Sequence, residues 1–207
     1  MKLNGFYFIT DSRLSKKGNI EDAEAAIRGG AKVVQYREKD TSMVEFLREA
    51  VELKRICSQK NVLFLVNDNV AATLLTGADG VHLGQDDMPL EAARRILGSR
   101  KIVGVTVHNI EEAVKAEWEG ADYLGLSPIF STSTKLDAGP AAGLELIRKV
   151  KKTVRLPCVA IGGINEKNAD SVIKAGADSL SAISATVAKD DVEKAVRLFA
   201  NKFDATI

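Results

Sequence analysis

Gly77-Ala78-Asp79-Gly80-Val81-His82-Leu83 places a glycine after one helical pattern and an apolar run directly behind it. The junction recurs as Gly30-Ala31-Lys32, Gly120-Ala121-Asp122 and Gly176-Ala177-Asp178. Glycine suits the position just past a helix, where the backbone usually turns left-handed. The spacing is roughly 45 to 55 residues, about two strand-helix units if each exceeds about 20 residues. Four such junctions imply eight strands. Working outward, apolar runs fall at 6–10, 33–37, 62–66, 80–83, 102–106, 123–126, 158–161 and 179–182. Most lack polar alternation, as in Val62-Leu63-Phe64-Leu65-Val66, which marks parallel strands covered on both faces.

Helices are legible between the runs. Ser42 and Glu45 form a capping-box pattern, followed by Met43, Phe46, Ala50, Leu53 and Cys57 at helical spacing. Val192, Ala195, Val196, Phe199 and Phe203 make an apolar stripe near the end of the chain, with Asp190, Asp191 and Glu193 suited to its N-terminal dipole. Trp118, near a helix end, reads as packing. No G-x-G-x-x-G loop follows the first strand, so a closed α/β barrel, a (β/α)8 TIM barrel, is expected rather than an open doubly wound sheet. With 207 residues and no linker-like stretch, one domain over 1–207 is expected.

Lysine plus arginine (29) nearly cancel aspartate plus glutamate (28), so no global field attracts nucleic acid. Anion binding must come from local charge. Cys57 and Cys158 sit in apolar stretches without CxxC spacing, which points to reduced core thiols and a cytoplasmic protein. No run of about 18 apolar residues suggests a membrane span. The oligomeric state is open, a homo-oligomer included.

Barrel active sites form at the C-terminal ends of the strands, and those positions are polar here. Gln35, Arg37 and Lys39 alternate after strand two, so period two aims them to one side. Arg37, Lys39 and Lys135 would bring three cations to one mouth, a match for phosphate or pyrophosphate. Asp68 and Asp87 follow strands three and four and supply hard oxygen donors for magnesium; either alone could equally be a helix cap. No His/Cys cluster has zinc spacing. Gly162-Gly163, with Asn165 as a helix N-cap, lies where barrels commonly bind a phosphate monoester. His82 reads as structural, whereas His108 could be an acid or base or could orient its loop. The longest irregular stretch, 127–140, has the length of a functional loop.

Together Tyr7-Phe8-Ile9-Thr10-Asp11, Gln35-Tyr36-Arg37-Glu38-Lys39, Asn67-Asp68, Gly80-Val81-His82-Leu83-Gly84-Gln85-Asp86-Asp87, Thr132-Ser133-Thr134-Lys135, Ile161-Gly162-Gly163-Ile164 and Ser181-Ala182-Ile183-Ser184 resemble the thiamine phosphate synthase family over nearly the whole chain. The resemblance implies a magnesium-dependent transferase acting on small phosphorylated substrates. Gln35, Tyr36, Arg37, Glu38, Lys39, Asn67, Thr106 and Lys135 would hold an aminopyrimidine pyrophosphate, with Arg37, Lys39, Lys135 and Thr106 catalytic. Thr132, Ser133, Thr134, Gly163, Ile183 and Ser184 would hold a thiazole phosphate, and Asp68 and Asp87 the metal. Ser127 and Ser131 depart from the glycine and proline usual in the family, and Thr106 stands where serine is common. The rivals are a thiazole tautomerase using His108 and a non-catalytic phosphate-ligand sensor. Retention of both aspartates, Lys39 and the 132–135 loop favours the synthase.

Overall fold

A computed structural model describes residues 3–132, 134 and 139–204. The elements alternate along the chain: β1 (Gly5–Ile9), α1 (Asn19–Arg28), β2 (Val33–Tyr36), α2 (Met43–Gln59), β3 (Leu63–Asn67), α3 (Val70–Leu75), β4 (Gly80–Leu83), α4 (Leu90–Leu97), β5 (Ile102–Val107), α5 (Ile110–Trp118), β6 (Tyr123–Leu126), α6 (Gly143–Thr153), β7 (Cys158–Ala160), α7 (Ala169–Lys174), β8 (Ser179–Leu180), α8 (Ile183–Thr186) and α9 (Val192–Asp204). The strands pair in parallel in sequence order. β8 closes on β1 through Gly5↔Ser179 and Phe6↔Leu180, so the sheet is the eight-stranded TIM barrel.

Two apolar layers follow from strand alternation. Tyr7, Ile9, Val33, Leu65, Tyr123 and Val159 pack inside the cylinder. Their neighbours Phe6, Phe8, Val34, Phe64, Leu124 and Leu126 face outward into the helical ring. The α9 stripe of Val192, Ala195, Val196, Phe199 and Phe203 is buried as expected, and Phe199 stacks on Phe6 with ring centroids 5.3 Å apart.

The recurring junctions form the lower floor. Gly30, Gly77, Gly120 and Gly176 all have positive φ, the conformation that asks for glycine. The aspartate two residues later does a second job in three of the four. Asp79 accepts the Phe64 N–H and pairs with Lys54 of α2. Asp122 accepts the Val103 N–H and pairs with Arg94 of α4. Asp178 accepts the Cys158 N–H and pairs with Lys151 of α6. Each carboxylate thus ties a helix to the start of the strand that follows it and to the next junction.

Local expectations needed correction in four places. Ser42 accepts the Glu45 N–H, but Glu45 turns to Arg48 instead of closing the capping box. Met43 is 55% exposed, because it sits at the first turn of α2, off the buried face. Trp118 is 81% exposed at the end of α5, outside the buried core. Asn165 does not cap α7: that helix begins at Ala169, and Asn165 closes a turn by accepting the Lys167 N–H.

Candidate active site

A cavity of about 420 Å³ opens at the C-terminal rim, lined by the ends of all eight strands or the loops just after them. Gln35, Arg37 and Lys39 all line it, as alternation required. Tyr36 and Glu38, between them, face the other way. The Tyr36 hydroxyl donates to Glu49 of α2, and Glu38 accepts from Asn19 and from the Asp40 N–H. Period two therefore divides this stretch into a cavity set and a supporting set.

Each of the described cations at the rim is paired with a carboxylate. Arg37 Nη1 donates to Asp11 Oδ2 at 3.0 Å, and the Asp11 side chain is only 5% exposed. Thr10 Oγ1 accepts the Arg37 N–H and donates to the Arg37 carbonyl, fixing the backbone that carries the guanidinium. Lys39 pairs with Asp68. Arg13, which also lines the cavity, pairs with Asp40. Asp11 was quoted in a motif without a role and Arg13 was not singled out, because their roles depend on how the loop after β1 meets the end of β2.

Asp68 follows β3 with φ of 61°, a left-handed conformation uncommon outside glycine that points to a constrained position. Asp87 Oδ2 accepts the Gly84 N–H at 2.7 Å. Its pKa lies above the usual carboxylate range, first because of burial and then because the Asp68 carboxyl sits against it. Two crowded carboxyl groups disfavour their shared negative charge, and a divalent cation relieves that repulsion. The donor set fits magnesium: hard oxygens from two side chains, the remaining positions left to water and phosphate. Among the described residues no group of three or more His, Cys, Asp or Glu makes a closed metal cage.

Gln35 and Thr106 end a hydrogen-bonded chain through the barrel interior. Gln35 Nε2 donates to the Tyr7 hydroxyl, Tyr7 bonds to Tyr123, Tyr123 to His82 Nδ1, and His82 Nε2 to Thr106 Oγ1, each at 2.8 Å. His82 is thus satisfied, as expected of a structural histidine, yet it also lines the cavity. His108 does not line it. His108 Nδ1 bonds to the Ser127 carbonyl and holds the start of the loop after β6.

On the opposite side stand Thr132, Thr134, Gly163, Ile183 and Ser184. Thr132 Oγ1 accepts the Thr134 N–H. Ser133 and Lys135 lie outside the described residues. The double glycine is needed for close approach, but much of that approach is by protein backbone. A Cβ on Gly163 would lie 2.5 Å from the Ser131 carbonyl oxygen, and one on Gly162 would lie 2.7 Å from Pro128 Cα. Ser181, quoted in the sequence but given no role, is buried at the rim, and its hydroxyl has no hydrogen-bond partner among the described residues.

The chain is similar to known proteins over nearly its whole length. Residues 6–186 match the family model described as thiamine monophosphate synthase. The thiamine-phosphate synthase of Methanosarcina mazei is 55% identical over 94% of this chain and 80% of its own length. That of Chloroflexus aurantiacus is 50% identical over 92% of this chain and 88% of its own. A solved thiamine phosphate pyrophosphorylase from Pyrococcus furiosus superimposes with a TM-score of 0.92 at 38% identity, covering 100% of this chain and 98% of the other.

Proposed function

The chain belongs to the thiamine monophosphate synthase family, and from that premise we propose that this rim joins an aminopyrimidine methyl pyrophosphate to a thiazole phosphate, giving thiamine phosphate and pyrophosphate. The observation that carries the assignment of roles is the gathering of Arg37, Lys39, Asp68 and Asp87 around one cavity. The thiazole ring nitrogen brings its own lone pair and loses no proton, so the reaction needs stabilisation of the leaving group more than a base. As the bond from the pyrimidine methylene carbon to oxygen breaks, pyrophosphate takes the electron pair, and a carbon–nitrogen bond forms at the same carbon. Arg37 and Lys39 face the departing charge, and their fixed positions spare the cost of reorganising water around it. Lys135, on the loop after β6, completes the cation set in this reading.

Asp68 and Asp87 hold magnesium, which when bound adds positive charge beside the pyrophosphate. Asn67 and Thr106 position the same substrate from β3 and β5. Thr132, Ser133, Thr134, Gly163, Ile183 and Ser184 take the thiazole phosphate, and the Ser181 hydroxyl, without a partner among the described residues, adds a donor there. Tyr36 and Glu38 contribute from behind, by fixing the segment that carries Arg37 and Lys39. The enzyme works in the cytoplasm, in keeping with two free, buried thiols. Among the described residues no helix is long and apolar enough to cross a membrane. Nothing favours the tautomerase or the sensor, since the His108 ring bonds to the Ser127 carbonyl and the relatives carry synthase names.

A pyrophosphate-release assay tests the proposal. Release is expected only with both substrates and metal present, and should stop with a chelator or with either substrate withheld. Release that persists under chelation would remove the metal role, and no release with both substrates would remove the function.

A further inference from the structure

We infer that Tyr7, Tyr123 and His82 are positioning residues that set the direction of one hydrogen-bond chain, making Gln35 an acceptor and Thr106 a donor toward the substrate, and thereby select an aminopyrimidine over its deaminated keto analogue. The inference rests on the proposed function for its substrate, but its premises are geometric.

Two directions would satisfy every link inside the barrel, and the turn of the Gln35 amide, with its nitrogen on Tyr7, selects one of them. Gln35 Nε2 can only donate, so the Tyr7 oxygen accepts and the Tyr7 proton must go to Tyr123. Tyr123, having accepted, sends its own proton to His82 Nδ1. A neutral ring that accepts at Nδ1 carries its proton on Nε2, which then donates to Thr106 Oγ1. The Thr106 proton is left for the cavity, which Thr106 lines. At the other end the Gln35 amide oxygen has no donor among the described residues. An exocyclic amine presents N–H to that oxygen, whereas a keto oxygen in its place sets two acceptors against each other.

The interior is shaped for these rings. His82, Gly104 and Tyr123 are neighbours in register across β4, β5 and β6. A Cβ on Gly104 would fall 2.0 Å from Tyr123 Cζ, and a Cβ on Gly125 would fall 2.9 Å from His82 Cε1. Tyr7 and Tyr123 are essentially closed to water, at 1% and 0% exposure, so no solvent can substitute for a missing link. With the Gln35 nitrogen on Tyr7, reversing the His82 tautomer alone would give Tyr123 two donors and strand its proton in that dry interior.

Nitrogen-15 correlation spectra of the ligand-free protein read the tautomer directly. The chain has two histidines, and His108→Asn assigns them. A neutral His82 ring with its proton on Nε2 is expected; a proton on Nδ1, or on both nitrogens, overturns the inference. This arm judges the chain's direction without any turnover. The second arm compares kcat/KM for the aminopyrimidine and keto pyrophosphates in the parent protein and in Tyr7→Phe. The preference for the amine is expected to fall about tenfold or more, because the Gln35 amide can then rotate. A folded Tyr7→Phe that keeps the parental preference overturns the inference while leaving the proposed function intact. Failure of the parent to use the aminopyrimidine would instead count against the proposed function.

Discussion

Arg37 illustrates how one side chain is prepared for its task. Its guanidinium is anchored to a buried carboxylate and its backbone is tied by a threonine just past the end of the neighbouring strand. Arg37→Ala should lower kcat by on the order of a hundredfold or more, if the side chain clamps the leaving group. Asp11→Asn keeps the shape but removes the anchoring charge, so a smaller loss of roughly tenfold, mainly in kcat, is expected from the looser arginine. Steady-state kinetics with saturating magnesium separates the two; near-normal rates in both variants would deny Arg37 its role. Alternation made Arg37 and Lys39 legible from the sequence, because facing is a local property of a strand. Asp11 was not legible as a partner, because its reach to Arg37 depends on the β1–β2 register, Ile9 opposite Gln35.

At the scale of the element, three aspartates repeat one connection among helix, strand and junction. Removing one strands a backbone N–H and frees a cation from its pair. Asp178→Ala should therefore cost about 1–3 kcal/mol. Urea denaturation would show it as a lower midpoint with an unchanged slope, and kcat should hold because the junction lies at the end opposite the cavity. The glycines at these junctions were readable because a left-handed turn is specified locally. Their aspartates were readable as a repeat only; which N–H each accepts depends on closure of the barrel. Trp118 and Met43 were misread because residue type suggests burial, while the angular position on the helix decides it. The chain from Gln35 to Thr106 was invisible for the same kind of reason, since Tyr7 and Tyr123 stand 116 residues apart and meet only when the cylinder closes.

For the whole molecule, the closed interior predicts a particular response to alkali. Burial pushes the Cys57 and Cys158 thiols up to about 12. The tyrosines Tyr7, Tyr36 and Tyr123 are likewise raised, with burial the leading cause. The folded protein keeps these protons while the unfolded chain releases them, so stability is fully present below the ordinary thiol value near 9 and is lost as pH rises toward 12. Each thiol contributes a slope of about 1.4 kcal/mol per pH unit in that window. Melting temperature should fall steeply above pH 9, and a Cys57→Ala, Cys158→Ala double variant should fall less steeply; parallel curves for the two proteins would contradict the assignment.

Because the aspartate connections lace the underside together without touching any residue of the mouth, rigidity and chemistry occupy separate ends of the cylinder. Loops at the upper end can be lengthened, exchanged or given new side chains while the chassis beneath stays fastened. A protein engineer seeking a different nucleophile or leaving group would therefore start above the strands and leave Asp79, Asp122 and Asp178 alone.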